Sequence, residues 1–232
     1  LDAAPWSLEP PALDKLMSKI RLAGTPQAKF AGVKPCRGIL TGFNEAFLID
    51  TATRNRLVRE DPNSAEVIKK YLRGQDIARW ATGWSGQWMI FAHHGIGIGS
   101  YPAIERHLLT FRDGLEPRPR DYRGTHWPGR KPGSYRWYEL QDAVDYWKLL
   151  ESPKIFYPDI TWRSSFCLDD AGLYTNNTVY FLPTRDSWLL AVLNSPLIWS
   201  YCWRHASHGK DEALRLFTDF MITLPIASPS AA

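Results

Sequence analysis

Cysteine is scarce in this chain: Cys36, Cys167 and Cys202 are widely spaced and odd in number. Such a set does not suit a disulfide-stapled secreted domain and fits a reducing compartment, so a cytoplasmic protein is expected. Long apolar runs are missing as well. The longest candidate, near Trp188 to Trp203, is interrupted by Asn194, Ser195 and Pro196, which leaves nothing long enough to span a bilayer and no membrane partner to expect. No Gly/Ser tract or proline repeat divides the chain and no internal repeat is visible. One main domain is therefore expected at 31–225, with a helical flank at 1–30 and a tail at 226–232. The opening at Leu1 rather than Met reads as a fragment of something longer.

Reactive constellations are absent too. Methyl transfer to a DNA base calls for a glycine-rich cofactor loop and an Asn/Asp-Pro-Pro-Tyr/Phe turn that holds the flipped base; Pro10-Pro11 follows Glu9 and precedes Ala12, lacking both amide and aromatic. Metal-dependent nucleases place acidic ligands near Glu-x-Lys or Asp-x-Lys, and no Asp or Glu here has Lys two residues later. Gly95-Ile96-Gly97-Ile98-Gly99 has the wrong spacing for a phosphate-cradling Gly-x-Gly-x-x-Gly and reads as a flexible or bulged strand end. Cys202, His205 and His208 lack both the i, i+4 helical spacing and a fourth ligand for zinc, and read as structural or surface groups. No catalytic, cofactor or metal site is expected in this chain.

What is present is an ordinary globular composition, 44% hydrophobic and 22% charged, which excludes disorder. A net charge of +4 favours a polyanionic partner only weakly, but its distribution is uneven. Between Arg118 and Arg136 stand Arg118, Arg120, Arg123, Arg130, Lys131 and Arg136 against one acid, Asp121. They are interleaved with Tyr122, His126, Trp127, Tyr135, Trp137 and Tyr138 in a stretch too rich in Pro and Gly to be helical. Guanidinium groups take phosphate oxygens or the guanine edge in pairs, and aromatics stack or wedge at bases. The same stretch also reads as a solvated loop anchored by its rings.

Periodicity predicts helices over 11–21, 52–59, 64–72 and 102–112, and one over 187–203 split at Pro196. Residues 37–40 and 46–50 read as a hairpin around Thr41-Gly42-Phe43-Asn44. Further strands are expected at 87–93, 154–157, 165–168 and 178–182. Strands and helices alternate without a βαβ repeat, so the expected class is α+β, with mixed or antiparallel sheets and packed helices.

Five blocks in fixed order carry a family likeness: Gly38-Ile39-Leu40-Thr41-Gly42-Phe43-Asn44 running on to Asp50, Ile68 to Ile77 with its Leu72-Arg73-Gly74-Gln75-Asp76, Trp137-Tyr138-Glu139-Leu140, Pro153 to Pro158, and Leu190 to Ser195. From about Trp6 to Pro225 the chain resembles the TaqI-like C-terminal specificity domain, which follows the catalytic domain in type IIG restriction-modification enzymes and related N6-adenine DNA methyltransferases. The resemblance implies a non-catalytic domain that docks on double-stranded DNA while a neighbouring domain of the same parent chain binds S-adenosylmethionine. Expected DNA contacts are Arg118, Arg120, Arg123, Arg130, Lys131 and Arg136, with Arg73, Arg79, Lys154, Arg163 and Asn176 as second choices. The competing expectation is an assembly module, its eleven tryptophans and the helix near Leu13 docking a catalytic subunit.

Overall fold

The computed structural model describes residues 10–142 and 145–229; the first nine residues of the expected flank and the last three of the expected tail lie outside them. The class is α+β, as expected. Its centre is a four-stranded antiparallel sheet in the order Cys167–Asp169, Lys154–Pro158, Val179–Leu182, Cys36–Arg37. Phe156 faces Phe181 across the ladder, and Tyr157 faces Tyr180. Because successive side chains alternate in direction, Phe156, Phe181, Val179 and Cys167 pack into one hydrophobic cluster while Ile155, Tyr157, Tyr180 and Leu182 pack into another. The unbroken apolar runs at 154–158 and 179–182 thus belong to a sheet covered on both faces, a partition between two cores.

On one side lies a mixed sheet in the order Tyr174–Thr175, Ile68–Leu72, Gln87–Ile90, Leu48–Asp50, with only the first pair parallel. Helices Thr51–Glu60 and Pro102–Leu109 close over it through Leu57, Ile104 and Leu108. On the other side helices Pro11–Ala23, Ser187–Leu193 and Pro196–His205 bury Met17, Leu189, Leu190, Ile198 and Tyr201. The split at Pro196 is realised: Asp186 caps the first helix through the Leu189 amide, and Ser195 caps the second through that of Ile198. Proline at the first helical position then removes a donor that had no partner.

Two expected elements are corrected. Residues 37–50 do not form a hairpin: Cys36–Arg37 pairs with Val179–Leu182 whereas Leu48–Asp50 pairs with Gln87–Ile90, and Asn44–Phe47 is one helical turn. The helix expected over 64–72 survives only as Ser64–Val67, after which Ile68–Leu72 is a strand. Val67, Ile68, Tyr71 and Leu72 satisfy a helical period on paper, but pairing with the 87–90 strand prevails. At the ends of the fold, Thr25–Pro26 pairs antiparallel with Pro225–Ile226, so the expected border at 225/226 falls inside a paired strand.

Candidate nucleic-acid interface

Residues 116–130 leave the fold and return to it as a closed loop. The Arg130 amide donates to the Glu116 carbonyl, and the Arg118 amide donates to that of Arg130, each at 3.0 Å. Inside the loop Tyr122 and Trp127 meet edge to face, the Trp127 indole N–H donates to the Glu116 carbonyl at 3.0 Å, and the Tyr122 hydroxyl donates to the His126 carbonyl. These rings frame the loop from within. Arg118, Arg120, Arg123 and Lys131 stand exposed around it.

Arg130 does not join them. Its side chain is 4% exposed and makes five hydrogen bonds to backbone carbonyls: Nε to Leu115, Nη1 to Thr41 and Glu139, and Nη2 to Arg136 and Trp137, at 2.7 to 3.2 Å. The guanidinium also lies over the Tyr135 ring at 4.5 Å. Desolvation pulls its pKa down to about 10, against the attraction of Tyr135, Glu116 and Glu139, so it remains charged at neutral pH. The expected DNA contact is corrected to an internal rivet that joins three backbone segments at the loop base.

Two further expectations are corrected in the same way. Lys154 is wholly buried, its Nζ bonded to Asp169 Oδ2 at 2.5 Å and to the Leu150 carbonyl. Desolvation lowers its pKa and the Asp169 bond opposes that shift. Such a pair in the interior holds the 154–158 strand to the 167–169 strand and reaches no phosphate. Asn176 is also buried; its Oδ1 accepts from the Thr178 amide at 3.2 Å and from the Thr178 hydroxyl at 2.6 Å, an Asx turn into the 179–182 strand.

The remaining expected residues divide by partner. Arg73 holds Asp76 bidentately, through Nε at 3.0 Å and Nη2 at 2.8 Å. Although desolvation pulls the other way, these bonds keep the Asp76 carboxyl below its ordinary value. Arg136 is exposed but donates to the Tyr138 hydroxyl at 2.6 Å. On the scaffold Arg56 and Arg106 share Glu60, Lys69 pairs with Glu151, and Arg112 with Glu116. By contrast Arg118, Arg120, Arg123, Lys131, Arg79 and Arg163 have no carboxylate within 4.0 Å among the described residues. A cation outside any ion pair breaks none when it takes a phosphate, whereas a paired one must first break its bond.

Arg79 and Arg163 sit together on a second face. Ile77–Ala78 and Ala81–Thr82 form a tight hairpin whose tip is Arg79-Trp80, and the Trp80 amide donates to the Phe166 carbonyl at 2.9 Å, clasping this tip to the turn at 162–166. Trp162 projects from that turn, 62% exposed. Clefts of about 530 and 510 Å³ flank the turn, and Arg163 lines both. Sequence reasoning named Arg79 and Arg163 but missed Trp80 and Trp162. The available signal was the Trp162-Arg163 pair set between Thr161 and Ser164-Ser165.

The glycine run at 95–99 already has its own anion: the Gly95 amide donates to Glu139 Oε1 at 2.8 Å. Cys202 lies in the second core, its thiol pushed up to about 12 by burial, while His205 stacks on Tyr201 and His208 meets Trp203. Among the described residues no group of three His, Cys, Asp or Glu side chains is placed to hold a metal ion, and no helix is long and apolar enough to cross a membrane.

The family model of the TaqI-like C-terminal specificity domain matches residues 69–226. Similar proteins include the type II methyltransferase M.PaeR7I of Pseudomonas aeruginosa, 30% identical over 201 residues that cover 84% of this chain and 32% of that protein. The type II methyltransferase M.XhoI of Xanthomonas vasicola is 26% identical over 199 residues, covering 84% of this chain and 33% of its own. This chain thus spans about a third of the length of the curated relatives it matches. Among solved structures, the type IIL restriction-modification enzyme MmeI in complex with DNA superposes with a TM-score of 0.55 at 14% identity, over 84% of this chain and 24% of that one. That likeness is one of fold.

Proposed function

The chain belongs to the family of TaqI-like C-terminal specificity domains, and from that premise we propose that it reads a duplex DNA sequence on behalf of a separate catalytic domain. The observation that carries the reading is the loop at 116–130: Arg118, Arg120 and Arg123 stand exposed and unpaired on a segment whose base is riveted by the buried Arg130. Exposed guanidinium groups on a fixed backbone meet phosphates and base edges with little ordering to be done. Lys131 adjoins them. The parent protein, in this reading, is an N6-adenine DNA methyltransferase of restriction-modification type, with or without endonuclease activity. S-adenosylmethionine binds in its catalytic domain, and this chain is a non-catalytic part. Three free thiols, two of them buried, suit work in the cytoplasm.

The test is duplex selection followed by salt titration. Specific binding to one short sequence is expected, with a slope of log affinity against log salt that falls by about 0.9 for each phosphate contact removed when Arg118, Arg120 and Arg123 become Gln. A slope unchanged in the triple variant removes the loop from the interface. Absence of any duplex preference in the wild-type chain refutes the reading itself.

One observation favours a second role compatible with the first. An apolar groove of about 490 Å³ runs between the Pro11–Ala23 helix and the helices at 187–205, with Leu16, Trp188 and Leu197 exposed along it. We assign it to the catalytic domain of the same parent chain, since this chain covers only a third of its relatives' length. In the full-length protein Leu16→Asp and Leu197→Asp should loosen the two domains to limited proteolysis; unchanged cleavage removes the assignment.

A further inference from the structure

We propose that the cleft between residues 74–77 and the turn at 158–165 takes a single nucleobase that has left the double helix, stacked on Trp162 with its phosphate on Arg163. The proposal rests on the DNA-binding reading above and adds to it a separate site with a different ligand chemistry.

Three independent features converge on this cleft. The first is the exposed indole. Trp162 donates its ring N–H to the Asp211 carbonyl at 3.0 Å, so its polar edge is satisfied inside the protein and its face is what remains for a ligand. Aromatic faces accept any base, because every base has a π-face.

Rigidity is the second. The Thr161 hydroxyl donates to the Arg163 carbonyl at 2.6 Å, and that of Ser164 to Leu193 O at 3.1 Å and Asn194 Oδ1 at 3.0 Å. The buried Asn194 amide brackets Phe166 from both sides, accepting from its N–H at 3.2 Å and donating to its carbonyl at 2.8 Å. A surface turn carrying an exposed tryptophan is thereby held in one conformation before any ligand arrives, which is the arrangement that lowers the ordering cost of binding. On the facing hairpin Trp80 has φ of +73°, a left-handed backbone that a bulky residue adopts only when its surroundings impose it.

The third feature is the polarity of the cleft. About 530 Å³ in volume, it has Ile77, Pro158 and Ile160 on its apolar side and Gln75, Thr161, Arg163, Ser165 and Thr178 as polar groups, and its one lining carboxylate, Asp159, is held by Arg215 at 3.0 Å. The Asp211 and Glu212 carboxylates belong to the segment at the indole's N–H edge, while the unpaired Arg163 follows Trp162 directly. A phosphate is therefore favoured on the Arg163 side and disfavoured on the other. A cleft of this size with a mixed polar and apolar lining suits a planar heterocycle.

The test uses 2-aminopurine, a base whose fluorescence is quenched on stacking. The wild-type chain is titrated with two duplexes of the same sequence, one fully paired and one carrying a single unpaired 2-aminopurine. Preference for the unpaired duplex by roughly tenfold is expected, with quenching of the probe. Trp162→Ala should bring that ratio to one, and Trp162→Phe should restore most of it, because the ring face returns without the Asp211 hydrogen bond. Salt-sensitive binding to the paired duplex with no preference for the unpaired one, or a preference that survives Trp162→Ala, overturns this inference and leaves the DNA-binding reading standing. Failure to bind either duplex overturns both.

Discussion

Arg130 Nη1 donates to the carbonyl oxygen of Thr41, 89 residues away in sequence, at 3.1 Å. The same guanidinium binds Leu115, Arg136, Trp137 and Glu139, so one side chain fixes where the 116–130 loop leaves and re-enters the fold. Its hydrogen bonds thereby set the position of the segment that carries Arg118, Arg120 and Arg123.

Removing that rivet should act first on stability. Arg130→Ala leaves buried carbonyls without donors, and a loss of about 3 kcal/mol is expected. Arg130→Lys should recover little, since an ammonium lacks the planar fork that reaches several carbonyls together. Urea unfolding measures both. A variant as stable as wild type that binds DNA less well would return Arg130 to the interface.

Single substitutions sort the exposed loop. Changing Arg118, Arg120 or Arg123 to Gln one at a time should weaken binding uniformly across sequences where the side chain takes a phosphate. Where it takes a base edge, discrimination at one position should fall by about 1 to 3 kcal/mol. Competition binding against a set of single-base variants of the selected site distinguishes the two. Three uniform, salt-independent losses would contradict both roles.

Acid sensitivity should concentrate at His107. Its ring bonds to the Ala46 carbonyl at 3.1 Å, and desolvation holds its pKa below the ordinary 6.5. In the window between the folded value and 6.5 the unfolded chain binds a proton that the folded chain does not, so stability rises with pH across it and is lost as pH falls below 6.5. His107→Leu should flatten that part of the stability profile. A profile of the same slope in the variant would assign the effect to other groups.

Asn194 should govern the second face from a distance. Asn194→Ala strips partners from Ser164 and Phe166 in a buried setting, with an expected loss of about 2 kcal/mol. Amide exchange should quicken across 162–166 more than in the 154–158 strand. Equal protection of the turn in Asn194→Ala and wild type would mean the turn is held without Asn194.

Much of the scaffold was legible because its signals are local. Proline at 11, 102 and 196 opens three helices, and the apolar runs at 154–158 and 179–182 are strands. The helix expected through Ile68 failed because a five-residue overlap of helical and strand patterns is settled by a partner strand, which lies elsewhere in the sequence. Site residues failed for a similar reason: nothing in the composition of the basic segment separates Arg130 from Arg123.

By itself the sequence determined a mixed α+β chain with two buried strands, a concentrated basic segment and a family likeness, since these rest on composition, periodicity and ordered blocks. Only the tertiary structure decided which cations are free. Arg130 and Lys154 are drawn inward because distant carbonyls and Asp169 satisfy them there, and Arg163 is left outside beside Trp162 because its turn is pinned by Asn194. Burial and pairing are properties of neighbours in space, and a charge count along the chain does not contain them.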